Sequence, residues 1–105
     1  MVEEKDIPAE GKVSPYRVTE DLINSKIKNK TYTILPSGKA MVCEITLENG
    51  FTVRGEAAVV DPKNFVKEIG EKISYENAYN KIWELEGYLM QQKKFNEENK
   101  IKKIS

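Results

Sequence analysis

Eight residues of this 105-residue chain have side chains suited to holding a nucleotide: Arg54, Asn64, Phe65, Tyr75, Asn77, Lys81, Tyr88 and Lys93. An aromatic face can stack on a base, a cation can meet a phosphate, and an amide can read a base edge or a ribose. Phe65, Tyr75 and Tyr88 offer the faces. Arg54, Lys81 and Lys93 offer the charge, and Asn64 and Asn77 the amides. Each also has a structural use. The planar fork of Arg54 suits phosphate, yet Glu44 falls opposite it in a hairpin and can pair with it there. Asn64 can be solvated and Phe65 buried. Tyr75 and Tyr88 can belong to a core or an interface. Asn77 stands among better helix formers, so its amide needs a partner, within the protein or on a ligand. Lys81 and Lys93 can simply be solvated.

Other chemistry is excluded by composition. The chain has no histidine, so no Ser-His-Asp or Cys-His arrangement can form. Cys43 is the only cysteine, which rules out an internal disulfide and a cysteine-rich zinc site. No GxGxxG or phosphate-loop pattern occurs. The acids fall at ordinary surface spacings, so no enzyme and no cofactor are expected. Charged residues number 17 of each sign, and only Arg17 and Arg54 are arginines. Without a basic stripe, long DNA or RNA is not an expected partner. No run of 18 apolar residues occurs, so no membrane span is expected. The polar, acidic start is unlike a signal peptide, and a cytosolic protein is the default.

The elements that must position these groups follow from periodicity. Residues 1–16, with Pro8, Gly11 and Pro15, read as a flexible N-terminal arm. Val18 to Lys28 reads as a short helix capped by Thr19, with Glu20 and Asp21 at its positive end. Thr31 to Leu35 reads as a strand ended by Pro36-Ser37-Gly38. Met41, Cys43, Ile45 and Leu47 share one face of the next strand. Phe51, Val53, Gly55, Ala57 and Val59 share one face of the strand after it. A two-residue turn would mix these faces. A three-residue loop, Glu48-Asn49-Gly50, keeps them together and places Ile45 opposite Val53, Cys43 opposite Gly55 and Glu44 opposite Arg54, with Gly50 left-handed.

Asp61 and Pro62 are suited to open a helix, whose free N–H groups near Asn64 and Phe65 would favour an anion. Phe65, Val66, Ile69 and Ile73 form one apolar stripe. Tyr75, Ala78, Ile82, Leu85 and Leu89 form a second, out of phase with the first. The phase slip predicts either two helices or one broken near 70–74, with Ser74 able to cap a new start. Tyr79, Trp83 and Met90 widen the apolar surface, which predicts an interface with another chain over Ser74 to about Phe95. The tail 96–105 is polar and is expected to fray. The fold class is therefore α+β. A short N-terminal helix and an antiparallel hairpin or small sheet pack against a long C-terminal helix, in a single domain over 17–95.

Leu47-x-Asn49-Gly50-Phe51-Thr52-Val53, Gly55-Glu56, Val60-Asp61-Pro62-x-Asn64-Phe65, Ile69-Gly70, Tyr75-x-Asn77-Ala78 and Trp83-x-x-Glu86-Gly87-Tyr88-Leu89 carry a resemblance. Together they resemble a family of small phage proteins that includes the first-described Thoeris anti-defence proteins. The resemblance spans about half the chain, Val42 to about Lys93. It implies a protein of the bacterial host cytoplasm that binds a cyclic ADP-ribose isomer made by TIR-domain enzymes and holds it without cleaving it. It also implies a homo-oligomer, a dimer or a hexamer of dimers, with cyclic oligonucleotides as further ligands at separate sites. Arg54 and Ala58-Val59 stand where relatives carry Thr and Ala-Cys, so ligand preference can differ. The competing reading is an interaction module that binds a host protein through its long helix.

Overall fold

The computed structural model describes residues 14–104, with side chains through residue 100. Most of the expected arm, residues 1–13, and the terminal Ser105 lie outside the described residues. Helix α1 spans Glu20–Lys26 and is followed by strands β1 (Ile27–Ile34), β2 (Ala40–Leu47) and β3 (Thr52–Ala58). A single 3-10 turn covers Pro62–Asn64, and helix α2 runs over Lys67–Ile104. The strands form an antiparallel meander in the order β1-β2-β3. The α+β expectation holds, with a short N-terminal helix, a small sheet and a long C-terminal helix.

The hairpin register follows the alternation in the sequence. Ile45 lies opposite Val53, Cys43 opposite Gly55 and Glu44 opposite Arg54. Glu48, Asn49 and Gly50 form the loop, closed by the Leu47 N–H donating to the Phe51 carbonyl at 2.8 Å. Gly50 has φ 94°, a left-handed value that a side chain resists. A one-residue slip would turn Met41, Cys43, Ile45 and Leu47 to solvent, and all four are buried. Thr19 caps α1 as expected, its hydroxyl accepting from the Leu22 N–H at 3.1 Å. The helix is shorter than expected because Ile27 already pairs with Leu47 as the first residue of β1. Ile23 is fully buried and anchors α1 to the core.

The C-terminal part differs from the expected one. Asp61 and Pro62 open only one 3-10 turn, with the Asp61 carboxylate accepting from the Lys63 N–H at 2.9 Å. Phe65 is extended (φ −78°, ψ 122°), which separates that turn from α2. From Lys67 the helix is continuous for 38 residues. It is not broken near 70–74, and it continues through Ile104 rather than ending near Phe95.

The buried positions of α2 are Gly70, Ser74, Ala78, Ile82 and Glu86, one every four residues. This is a single i±4 ridge, mostly of small residues, laid on the sheet. The apolar residues that suggested a phase slip, Ile69 and Ile73, flank the ridge and stay exposed. The small ridge is needed because β3 approaches the helix backbone. A Cβ on Gly55 would lie 2.2 Å from the Ala78 nitrogen and 2.4 Å from the Ser74 carbonyl oxygen. Tyr79 and Trp83 pack against the core within the chain, and the Tyr79 hydroxyl donates to Asn24 Oδ1 at 2.9 Å. Their breadth is thus used inside the chain. The large apolar side chains left exposed on the helix include Tyr88, Leu89 and Phe95. No residue between Gly87 and Lys100 is buried, so this part of the helix extends past the sheet. There the Tyr16 hydroxyl donates to the Glu97 carboxylate, tying the chain before α1 to the helix.

Gly55 and Gly87 should therefore respond oppositely to alanine. Gly55→Ala forces its methyl into helix backbone and should cost about 1–3 kcal/mol or more. Gly87 has open space for a Cβ, so Gly87→Ala should stabilise by about 0.5–1 kcal/mol through helix propensity. Urea denaturation of both variants measures the difference. Equal stabilities would mean that the β3–α2 seam is looser than described.

Candidate ligand site at the hairpin tip

Three elements meet at Lys26, the last residue of α1. Its carbonyl accepts from the Glu48 N–H at 2.8 Å, which ties the helix end to the hairpin loop. Its ammonium pairs with Glu86 Oε1 at 2.9 Å, which ties it to α2. Glu86 is the last residue of the buried ridge and is only 4% exposed. A carboxylate taken that far from water needs a charged partner, and Lys26 supplies it. Above the pair opens a cavity of about 240 Å³. Leu47, Leu85 and Leu89 give it apolar walls, Phe51 and Tyr88 give aromatic ones, and Glu48 and Asn49 form its rim at the hairpin loop. Phe51 and Tyr88 are both largely exposed, so their rings are available to something outside the fold.

A second cavity, of about 120 Å³, lies between the end of β3 and the start of α2. Asn64 and Phe65 line it, with Ala57, Ala58, Val59, Val66, Ile69, Gly70 and Ile73. It has no charged lining residue. The Phe65 ring sits over Gly70, where a Cβ would come within 2.9 Å of it. The expected free N–H groups are not free there. The Asn64 N–H donates to the Asp61 carbonyl and the Phe65 N–H to the Pro62 carbonyl. These two N–H groups are therefore not available to an anion.

The eight residues proposed from sequence do not converge. Tyr88 lines the hairpin-tip cavity, while Asn64 and Phe65 line the smaller one. Arg54 lies on the sheet face opposite the buried one. It donates to Glu44 Oε2 at 3.2 Å and to Thr52 Oγ1 at 3.0 Å. Tyr75 packs against the core with Tyr79, ring centroids 5.7 Å apart, and carries the Lys30 ammonium 4.6 Å from its own centroid. Burial pushes the phenols of Tyr75 and Tyr79 above their ordinary pKa. The Asn77 amide donates to the Glu56 carbonyl at 2.7 Å. That partner is the one its poor helix propensity called for. Lys81 and Lys93 are exposed on α2 and line neither cavity. Sequence reasoning missed Lys26, Phe51 and Glu86. A glutamate among the buried positions of the helix ridge was the available signal, but the ridge itself was hidden by its small residues.

Among the described residues, no cluster of three or more His, Cys, Asp or Glu could hold a metal ion. No helix there is long and apolar enough to cross a membrane. Burial pushes the Cys43 thiol up.

The model of the Phage protein (N4 Gp49/phage Sf6 gene 66) family matches residues 18–94, well over half of the chain. The chain belongs to this family. The matched span opens just before α1 and takes in the whole sheet and both cavities. It stops within the part of α2 that extends past the sheet. No curated protein and no solved structure matches the chain.

Two of the ion pairs among the described residues, Lys26–Glu86 and Arg54–Glu44, should behave differently. Lys26→Met leaves the buried Glu86 carboxylate without its partner and should cost about 1–3 kcal/mol. Arg54→Met breaks an exposed pair and should change stability by about 0–1 kcal/mol. Chemical denaturation compares them. An equally small loss in both would show that the Lys26–Glu86 pair is solvated.

Proposed function

We propose that this phage protein counters bacterial defence by binding a cyclic ADP-ribose isomer and sequestering it without cleavage, which blocks TIR-derived signalling in the host cytoplasm. One observation carries the reading to a place in the fold. In a chain whose motifs resemble nucleotide sponges, a cavity with exposed aromatic walls is lined by a half-buried lysine paired with a buried glutamate. Phe51 and Tyr88 are suited to sandwich a base, and the cavity rim is open to the rest of the ligand.

Size supports a second copy in the complex. One cavity of about 240 Å³ is smaller than the roughly 300–1,000 Å³ of pockets that enclose drug-sized ligands. A ligand with one adenine, two riboses and two phosphates is therefore only partly covered by one chain. The proposed assembly is a dimer or a hexamer of dimers, joined through the exposed side of α2 that carries Tyr88, Leu89 and Phe95. The same exposed residues favour the second reading, an interaction module that docks a host protein through α2.

Incubation with a cyclic ADP-ribose isomer, removal of free ligand and heat release of the remainder separate the readings. The sponge depletes the ligand and returns it intact. An interaction module leaves it in solution, and an enzyme returns product. Tyr88→Ala should weaken binding by about 1–3 kcal/mol, on the order of 5- to 150-fold, if the ring stacks on a base. Light scattering on the parent should give a dimer or larger. A monomer both with and without ligand contradicts the assembly.

A further inference from the structure

We propose that the Lys26–Glu86 pair reads the edge of a nucleobase. The pair makes the hairpin-tip cavity selective for a planar heterocycle that presents a hydrogen-bond acceptor beside a donor. This inference rests on the cavity being a ligand site, as in the function proposed above, but not on the ligand being cyclic. The pair is an unusual floor for an apolar cavity. Glu86 accepts from the Lys26 ammonium through Oε1 at 2.9 Å. Glu86 and Lys26 both line the cavity, and in the proposed site Oε2 is the acceptor offered to it. The Lys26 side chain is 30% exposed and keeps N–H donors beyond the one given to Glu86.

The cavity thus offers an acceptor-only group beside a donor-only group, with the rings of Phe51 and Tyr88 also in its lining. A phosphate is a poor match for this floor, because the carboxylate would face it and the ammonium is already neutralised. A purely apolar ligand would offer nothing to the second carboxylate oxygen or to the remaining N–H groups of the ammonium. A base edge satisfies both groups. In adenine the ring nitrogen N1 accepts from Lys26, and the 6-amino group donates to Glu86 Oε2. The flat ring suits the aromatic walls.

Calorimetric titration of the full chain with adenosine and with purine riboside tests the assignment. Purine riboside has the same ring and sugar but no 6-amino group, so protein folding is not in question. Adenosine should bind at least about ten-fold more tightly, the loss expected for one hydrogen bond to a charged group. The double variant Lys26→Met/Glu86→Leu removes both charges and leaves none unpaired. It should stay folded by circular dichroism and bind the two nucleosides equally. Equal binding of the two nucleosides to the parent overturns the proposal. So does failure of the parent to bind adenosine, or a folded double variant that keeps the preference. Capture of the cyclic isomer without any adenosine preference overturns edge reading and leaves sequestration standing. An adenosine preference that disappears in the double variant, without capture of the isomer, supports edge reading and removes sequestration.

Discussion

The absence of one methyl group sets the distance between sheet and helix. At Gly55 the β3 backbone meets the backbone of α2, and a Cβ there would overlap the Ala78 nitrogen and the Ser74 carbonyl. Ser74 and Ala78 are the matching small residues on the helix, and both are fully buried. Ser74 adds no unsatisfied group, because its hydroxyl donates to the Glu71 carbonyl one turn back. With the two backbones this close, longer side chains on either side of the seam can reach around it. Tyr75, Tyr79 and Trp83 pack toward the core, and the Asn77 amide reaches the Glu56 carbonyl.

The seam also sets where the functional candidates lie. Two turns after Ala78 along the same ridge comes Glu86, placed under the hairpin loop. The loop is held there by its own geometry and by the Glu48 N–H bonded to Lys26. A helix riding further from the sheet would lift Glu86 off Lys26 and open the cavity into solvent. Cavity shape, ion pair and register are thus one mechanical unit. The rest of α2, beyond Glu86, takes little part in it. A helical extension of this length is marginal in water without tertiary contacts, and the Tyr16–Glu97 contact is one that it has.

The hairpin was legible in the sequence because period-two alternation admits one register that keeps both apolar faces intact. Gly50, Ile45–Val53 and Glu44–Arg54 all follow from that constraint. The helix was less legible. Ile69 and Ile73 look like core positions by hydrophobicity, yet the core-facing ridge is Gly70, Ser74 and Ala78, chosen for size. Periodicity scores apolar character, and a close backbone approach selects for small volume instead. Arg54 looked like a ligand cation because its type suits phosphate, but the same register argument gives it Glu44 on the outer sheet face. Lys26 and Glu86 could not be paired from sequence, because 60 positions and the whole sheet separate them.

The central claim is that a nucleotide signal binds at the hairpin tip, over Lys26 and Glu86. Backbone amide shifts of the isotope-labelled protein, recorded while a cyclic ADP-ribose isomer is added, test it most directly. The account predicts the largest changes at Lys26, at Glu48 to Phe51 and at Leu85 to Leu89, with the outer sheet face around Glu44 and Arg54 nearly unmoved. Changes centred on Glu44 and Arg54 or on Asn64 and Phe65, with the hairpin tip silent, would contradict it.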